Sequence, residues 1–198
     1  GHQLGVEAAR EQLTGRDDSD VVIRLKPAVK TEFVVWGPDG KPKAGAVVEP
    51  RHIEMLNFDP PKEVRARIAA KTDAEGRAVL TAVPREVIAS VDVITDDLGT
   101  QNQTTHTTGG GGERAFEVDL PADKPIRLKP CARIVGRITA EKPEWTRGVR
   151  VVLSTSPVYR MNRPLPPWPT TGRAEVVSDD EGRFEVPAIA EGALHIKA

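Results

Sequence analysis

Ile23-Arg24-Leu25-Lys26-Pro27 returns unchanged as Ile126-Arg127-Leu128-Lys129-Pro130, 103 positions later, and the same series of landmarks stands behind each copy. After the first come Gly45, Met55-x4-Pro60-Pro61 and Thr72-Asp73-Ala74-Glu75-Gly76-Arg77. After the second come Gly148, Met161-x4-Pro166-Pro167 and Ser178-Asp179-Asp180-Glu181-Gly182-Arg183. The proline pairs and acidic turns recur 106 positions apart, so the second repeat carries a small insertion. A period this long is a whole folding unit and not a solenoid element. If the pentapeptide closes one unit and hands over to the next, residues 1–27 are a linker and the last strand of a preceding copy. The first unit then spans 28–130 and the second 131–198. The second would lack counterparts of Phe116 to Pro130, which predicts an open sheet edge ready to pair with another chain.

Between the landmarks the chain reads as strands. Thr31, Phe33 and Val35 alternate with Glu32, Val34 and Trp36 up to the tight-turn chemistry of Gly37-Pro38-Asp39-Gly40. Further strands are expected at Ala44–Glu49, Ala78–Ala82, Val87–Thr95, Phe184–Val186 and Ala193–Lys197. Lys62–Lys71 contains good helix formers but also alternates; its counterpart Arg173–Ser178 is short and β-branched, which favours strand for both. The Thr, Gln and Asn stretch from Asp96 to Glu113, ending in Gly109 to Gly112, reads as a flexible polar loop. A helical turn is expected around Val6, Ala9 and Leu13. Short strands punctuated by Gly, Pro and Asp give an all-β expectation: two tandem immunoglobulin-like (prealbumin-like) antiparallel β-sandwiches, the second lacking its last strands.

Composition narrows the function classes. The 198 residues are 38% hydrophobic and 29% charged, ordinary for a folded soluble protein. A formal net charge of -1 offers no field for nucleic acid, and no apolar run is long enough for a membrane-spanning helix. The single cysteine, Cys131, can form no disulfide within the chain and is expected to be a buried, inert thiol. The chain starts at Gly1-His2 and reads as a segment of something larger.

These residues resemble the bacterial carboxypeptidase regulatory-like repeats. The first unit contributes Phe33-Val34-Val35-Trp36-Gly37-Pro38-Asp39-Gly40-Lys41-Pro42, Ala44-Gly45-Ala46-Val47-Val48, Thr72 to Arg77 and Val83-Pro84. The second contributes Ile134-Val135-Gly136-Arg137-Ile138, Arg147-Gly148-Val149 and Asp179 to Phe184. Ala78 departs from the family's usual aromatic, and Glu141-Lys142-Pro143-Glu144-Trp145 replaces the Asp-Gly turn. The resemblance implies a prealbumin-like sandwich that serves as an accessory domain in secreted or envelope proteins, without peptidase activity or zinc ligands. Function passes from it only as scaffold and spacer.

Chemistry-bearing groups are sparse. His52-Ile53-Glu54 would place two possible ligands on one strand face, with His106 or Asp59 as the third; the second repeat has Val158-Tyr159-Arg160 there, and no metal or cofactor is expected. The acidic turns could attract calcium, but an aspartate capping a turn needs only backbone N–H groups, and that reading is preferred. No nucleophile–base pairing stands out, so the chain is read as a non-enzyme. Trp36 and Trp145 are expected in the core or between the units. The loops 51–61 and 157–172 carry His52, Phe58, Tyr159 and Trp168, side chains suited to a carbohydrate or protein ligand. The plainer reading folds those loops back over the sandwich ends. The leading expectation is a non-catalytic structural, spacer or protein-interaction module whose partners are the flanking domains of an extracellular or envelope protein. The alternative is a binding accessory module using the two loops.

Overall fold

The computed structural model describes residues 4–5, 26–27, 30–53, 60–81, 83–85, 88–107, 118–119, 124–156 and 170–198. The strands in chain order are β1 (Leu4–Gly5), β2 (Lys26–Pro27), β3 (Thr31–Trp36), β4 (Val47–Ile53), β5 (Ala70–Lys71), β6 (Arg77–Leu80), β7 (Ile88–Thr95) and β8 (Gly99–Thr104). They continue as β9 (His106–Thr107), β10 (Val118–Asp119), β11 (Ile126–Arg127), β12 (Cys131–Arg137), β13 (Arg150–Ser156), β14 (Thr170–Val177), β15 (Arg183–Ala190) and β16 (Ala193–Lys197). One helix, α1 (Lys62–Ile68), and a 3-10 turn at Pro143–Thr146 complete the elements used below.

The described residues form a mostly β structure, and among them the pairings are antiparallel except β11 against β3. One layer is a seven-stranded sheet in the order β5-β4-β7-β8-β14-β13-β16. Facing it are two smaller sheets, β11-β3-β6 and β12-β15. Two buried clusters lie within this arrangement. The first gathers Phe33, Val35, Val48, Leu80, Val91, Val93, Ile126 and Leu128 among others; the second is built on Val151, Leu153, Phe184, Val186 and Ile189. Alternation explains both, because β3 buries Thr31, Phe33 and Val35 and β13 buries Val151, Leu153 and Thr155.

The two halves repeat in register. Thr31, Phe33 and Val34 of β3 face Leu80, Ala78 and Arg77 of β6, and Ile134, Gly136 and Arg137 of β12 face Val186, Phe184 and Arg183 of β15. The aromatic changes strand between the halves: Phe33 lies opposite Ala78, whereas Gly136 lies opposite Phe184. A Cβ on Gly136 would stand 2.3 Å from the Phe184 ring. Each half thus fills the site between its paired strands with one ring, which accounts for the small residue at Ala78. The acidic turns also match. Asp73 Oδ1 accepts from the N–H groups of Glu75 (3.0 Å) and Arg77 (2.8 Å), and Asp179 Oδ1 from those of Glu181 (3.0 Å) and Arg183 (2.7 Å). Gly76 and Gly182 sit at φ 75° and 76°, where side chains are disfavoured.

Several expectations need correction. Residues 62–71 are not a strand: α1 occupies Lys62–Ile68 and only Ala70–Lys71 pairs with β4. Its strong helix formers prevail because Arg65 can lie over the sheet, where Nη1 donates to Glu49 Oε2 at 2.8 Å and approaches Asp92 Oδ2 at 3.4 Å. The counterpart β14 is a full strand. The expected loop from Asp96 to Glu113 is overturned across Gly99–Thr104, which forms β8 at the middle of the seven-stranded sheet. Its Gln101 and Gln103 are buried, and their side-chain amides are hydrogen-bonded. Trp145 is no core residue, since it is 57% exposed on the 3-10 turn with Lys142 Nζ 4.9 Å from its ring centroid. Trp36 is half-buried under the Arg127 guanidinium, 4.7 Å from its ring centroid. Cys131 is half-buried instead of fully buried. The expected turn at Val6, Ala9 and Leu13 and the strand residues Val21–Leu25 lie outside the described residues.

Candidate functional site

Of the four residues expected to bind a ligand, only His52 is described; Phe58, Tyr159 and Trp168 lie outside the described residues. His52 is half-buried on β4, which runs on through Arg51–Ile53, so the expected loop at 51–61 gives up its first residues to a strand. A register shift falls on each side of the His52–Ser90 pair, where β4 bends against β7. Thr170 to Gly172, expected at the end of the second loop, begin β14.

The described residues instead bring together a buried polar seam where β8 meets β14. Gln103 pairs with Thr170 and Gln101 with Gly172 in the ladder, on the sheet face that also carries Val91 and Val93. The Gln101 amide mimics a strand: Nε2 donates to the Lys129 carbonyl and Oε1 accepts from the Lys129 N–H, both at 2.9 Å. The Thr170 hydroxyl donates to Gln103 Oε1 at 2.8 Å, and Gln103 Nε2 donates to the Thr104 carbonyl at 2.9 Å. Lys129 Nζ donates to the Thr170 carbonyl at 2.8 Å. Burial lowers the pKa of that ammonium, with Glu191 acting in the opposite sense.

Cys131 lies beside this seam, its Sγ 3.1 Å from the Leu98 carbonyl and 3.4 Å from Gln101 Nε2. Burial raises its pKa, and Asp97 and Glu191 add to the shift while the Gln101 amide opposes it. A thiol held protonated in this way is a poor nucleophile. Gly172 closes the seam. A Cβ there would meet the Ala190 N at 2.8 Å and Thr155 Oγ1 at 2.9 Å, and its N–H donates to Thr155 Oγ1 at 2.8 Å. The seam has no solvent-facing reactive pair; its donors and acceptors are spent on one another and on backbone.

A second cluster lies on the opposite face of the sheet. Arg65 joins Glu49 and Asp92, both buried, and Asn102 Nδ2 donates to Asp92 Oδ1 at 2.8 Å. It fastens α1 to β4, β7 and β8.

Sequence reasoning missed the seam because its glutamines sit in a stretch whose composition reads as loop. The signal within that stretch was alternation, since Gln101, Gln103 and Thr105 occupy every second position and all three are buried. No helix among the described residues is long and apolar enough to cross a membrane. No family model, curated protein or solved structure matches the chain.

Proposed function

We propose that the chain is a tandem pair of immunoglobulin-like, prealbumin-like sandwiches of the carboxypeptidase regulatory-like kind, acting as a non-catalytic spacer or interaction module within a larger secreted or envelope protein. The observation that carries this reading is the β8–β14 seam, which runs one sheet through both halves. A junction made of ladder hydrogen bonds and buried side-chain amides resists bending far more than a linker peptide does. A spacer must hold its flanking parts at a set distance, and sheet continuity supplies that. The repeat landmarks and the paired Asp-x-x-Gly turns support the family assignment.

The reading is tested by spin labels at Val79→Cys on β6 and Val135→Cys on β12, exposed positions in opposite halves, in a Cys131→Ser background. One narrow distance distribution is expected from dipolar spectroscopy. A broad or bimodal distribution means that the halves hinge, and the spacer reading fails. Tryptophan emission supplies the counter-test: a saturable change with a glycan, lost in Trp168→Ala, would replace the spacer with the binding module.

A further inference from the structure

Residues 64–71 occupy the place that β14 holds in the second half. Val64 to Lys71 correspond to Thr170 to Val177 at the 106-position repeat, and the two segments share one register. Val47 pairs with Lys71 and Val48 with Ala70, as Arg150 pairs with Val177 and Val151 with Val176. β14 carries its ladder on through Val152–Glu175, Leu153–Ala174 and Ser154–Arg173, whereas β5 is two residues long and α1 precedes it. Continued in the same register, the first ladder sets Ala69 against Glu49, Ile68 against Pro50 and Arg67 against Arg51. Val64, Ala66, Ile68 and Ala70 then share the inward face with Val48, and Ile68 and Ala70 already pack against the first buried cluster. Arg65 and Arg67 fall on the outward face with Glu49.

The helical form has little of its own to hold it. α1 has seven residues, none of them buried, with no side-chain cap at Pro61 and extended backbone at Ala69. A helix this short is unstable by itself. Val64 is 46% exposed on it. Arg65 anchors it, but imperfectly: one nitrogen, Nη1, serves both Glu49 Oε2 at 2.8 Å and Asp92 Oδ2 at 3.4 Å, while Nε is buried and has no acceptor among the described residues. The strand form carries a different penalty, since Arg67 stands directly across from Arg51, like charge against like. The second half has Thr171 where the first has Arg65, so no guanidinium there draws the segment into a helix.

We propose that residues 64–71 are a two-state element, helical while Arg65 grips Glu49 and Asp92, and a β14-like strand along β4 when that grip is lost. In the strand, Arg67 replaces Arg65 as the guanidinium beside Glu49, and Val64 turns from solvent to the inward face. Arg65 is the latch, and its release exchanges one packed arrangement of the segment for another instead of melting it. The switch belongs to the first half and is independent of the spacer reading.

Backbone assignment of the full chain by NMR tests this. The wild type is expected to show helical Cα chemical shifts over residues 62–68. Arg65→Thr, which copies the second half, is expected to turn the shifts of residues 64–69 to extended values and to bring cross-strand Overhauser contacts between Arg51 and Arg67. Unmoved methyl signals of Val151 and Leu153 show that the fold otherwise persists. Glu49→Gln with Asp92→Asn removes both charges from the sheet side and leaves the segment's own sequence intact. It is expected to give the same extended shifts, and it carries the test should Arg65→Thr fold poorly. Random-coil shifts over residues 64–69 in the folded variants overturn the proposal, because the segment then merely melts. A helix that persists without the latch overturns it as well.

Discussion

Phe33 and Ala78 exchange sizes with Gly136 and Phe184 at the same cross-strand site. Interiors are packed densely enough that one ring fits between the strands and two do not. In the first half, Phe33→Gly alone is expected to cost about 3–5 kcal/mol through the cavity it leaves. Ala78→Phe alone is expected to cost about 1–3 kcal/mol by overpacking. The double variant copies the second half and is expected to recover at least 1 kcal/mol relative to the sum of the two. Urea unfolding of the four proteins measures this coupling, and additivity would show that the two sites do not share space. The aromatic missing from Ala78 was visible in the sequence as a departure; that the ring had crossed to the partner strand became visible only with the register.

Among the elements, the acidic turns were the most legible, because Asp, Gly and their spacing specify a local hydrogen-bond pattern without help from distant residues. Asp179 also carries a pH dependence. Its carboxyl titrates below its ordinary value of 3.8, first because the Arg183 N–H donates to it, with the Arg183 side chain and the Glu181 N–H adding to the effect. A folded-state pKa below the unfolded one means stability that is complete above the ordinary value and is lost as pH falls through the depressed one. Melting temperature is therefore expected to fall less steeply in Asp179→Asn than in wild type between about pH 5 and pH 2. Equal slopes would show that the carboxylate contributes nothing through its charge. Residues 62–71 were the least legible element. Helix propensity and alternation conflicted there, and comparison with the other repeat favoured strand. The structure resolves the conflict by context: α1 has Glu49 and Asp92 to engage through Arg65, whereas β14 has β8 to pair with.

At the scale of the molecule, β14 makes one sheet of two repeats. The helix at the corresponding place in the first half leaves β5 only two residues long, and the strand in the second half extends to meet β8. Breaking this seam is expected to separate the halves energetically. Gly172→Val sets side-chain atoms against the Ala190 N and Thr155, so it should weaken the β8–β14 ladder and split one cooperative calorimetric transition into two. A single transition shifted as a whole would show that cooperation between the halves does not pass through this seam. Gln101→Leu serves as the milder form, leaving the Lys129 peptide groups without their buried partner at a cost of about 1–3 kcal/mol.

The sequence by itself determined the repeat, the strand-rich character and the turns, because these depend on local backbone preferences and on alternation along a few residues. The tertiary structure alone decided that Gln101 and Gln103 are interior, that α1 and β14 diverge, and that β14 pairs with β8. Burial of an amide, the choice between helix and strand, and the pairing of one strand with another all depend on what lies across the sheet, and that neighbour is distant in the chain.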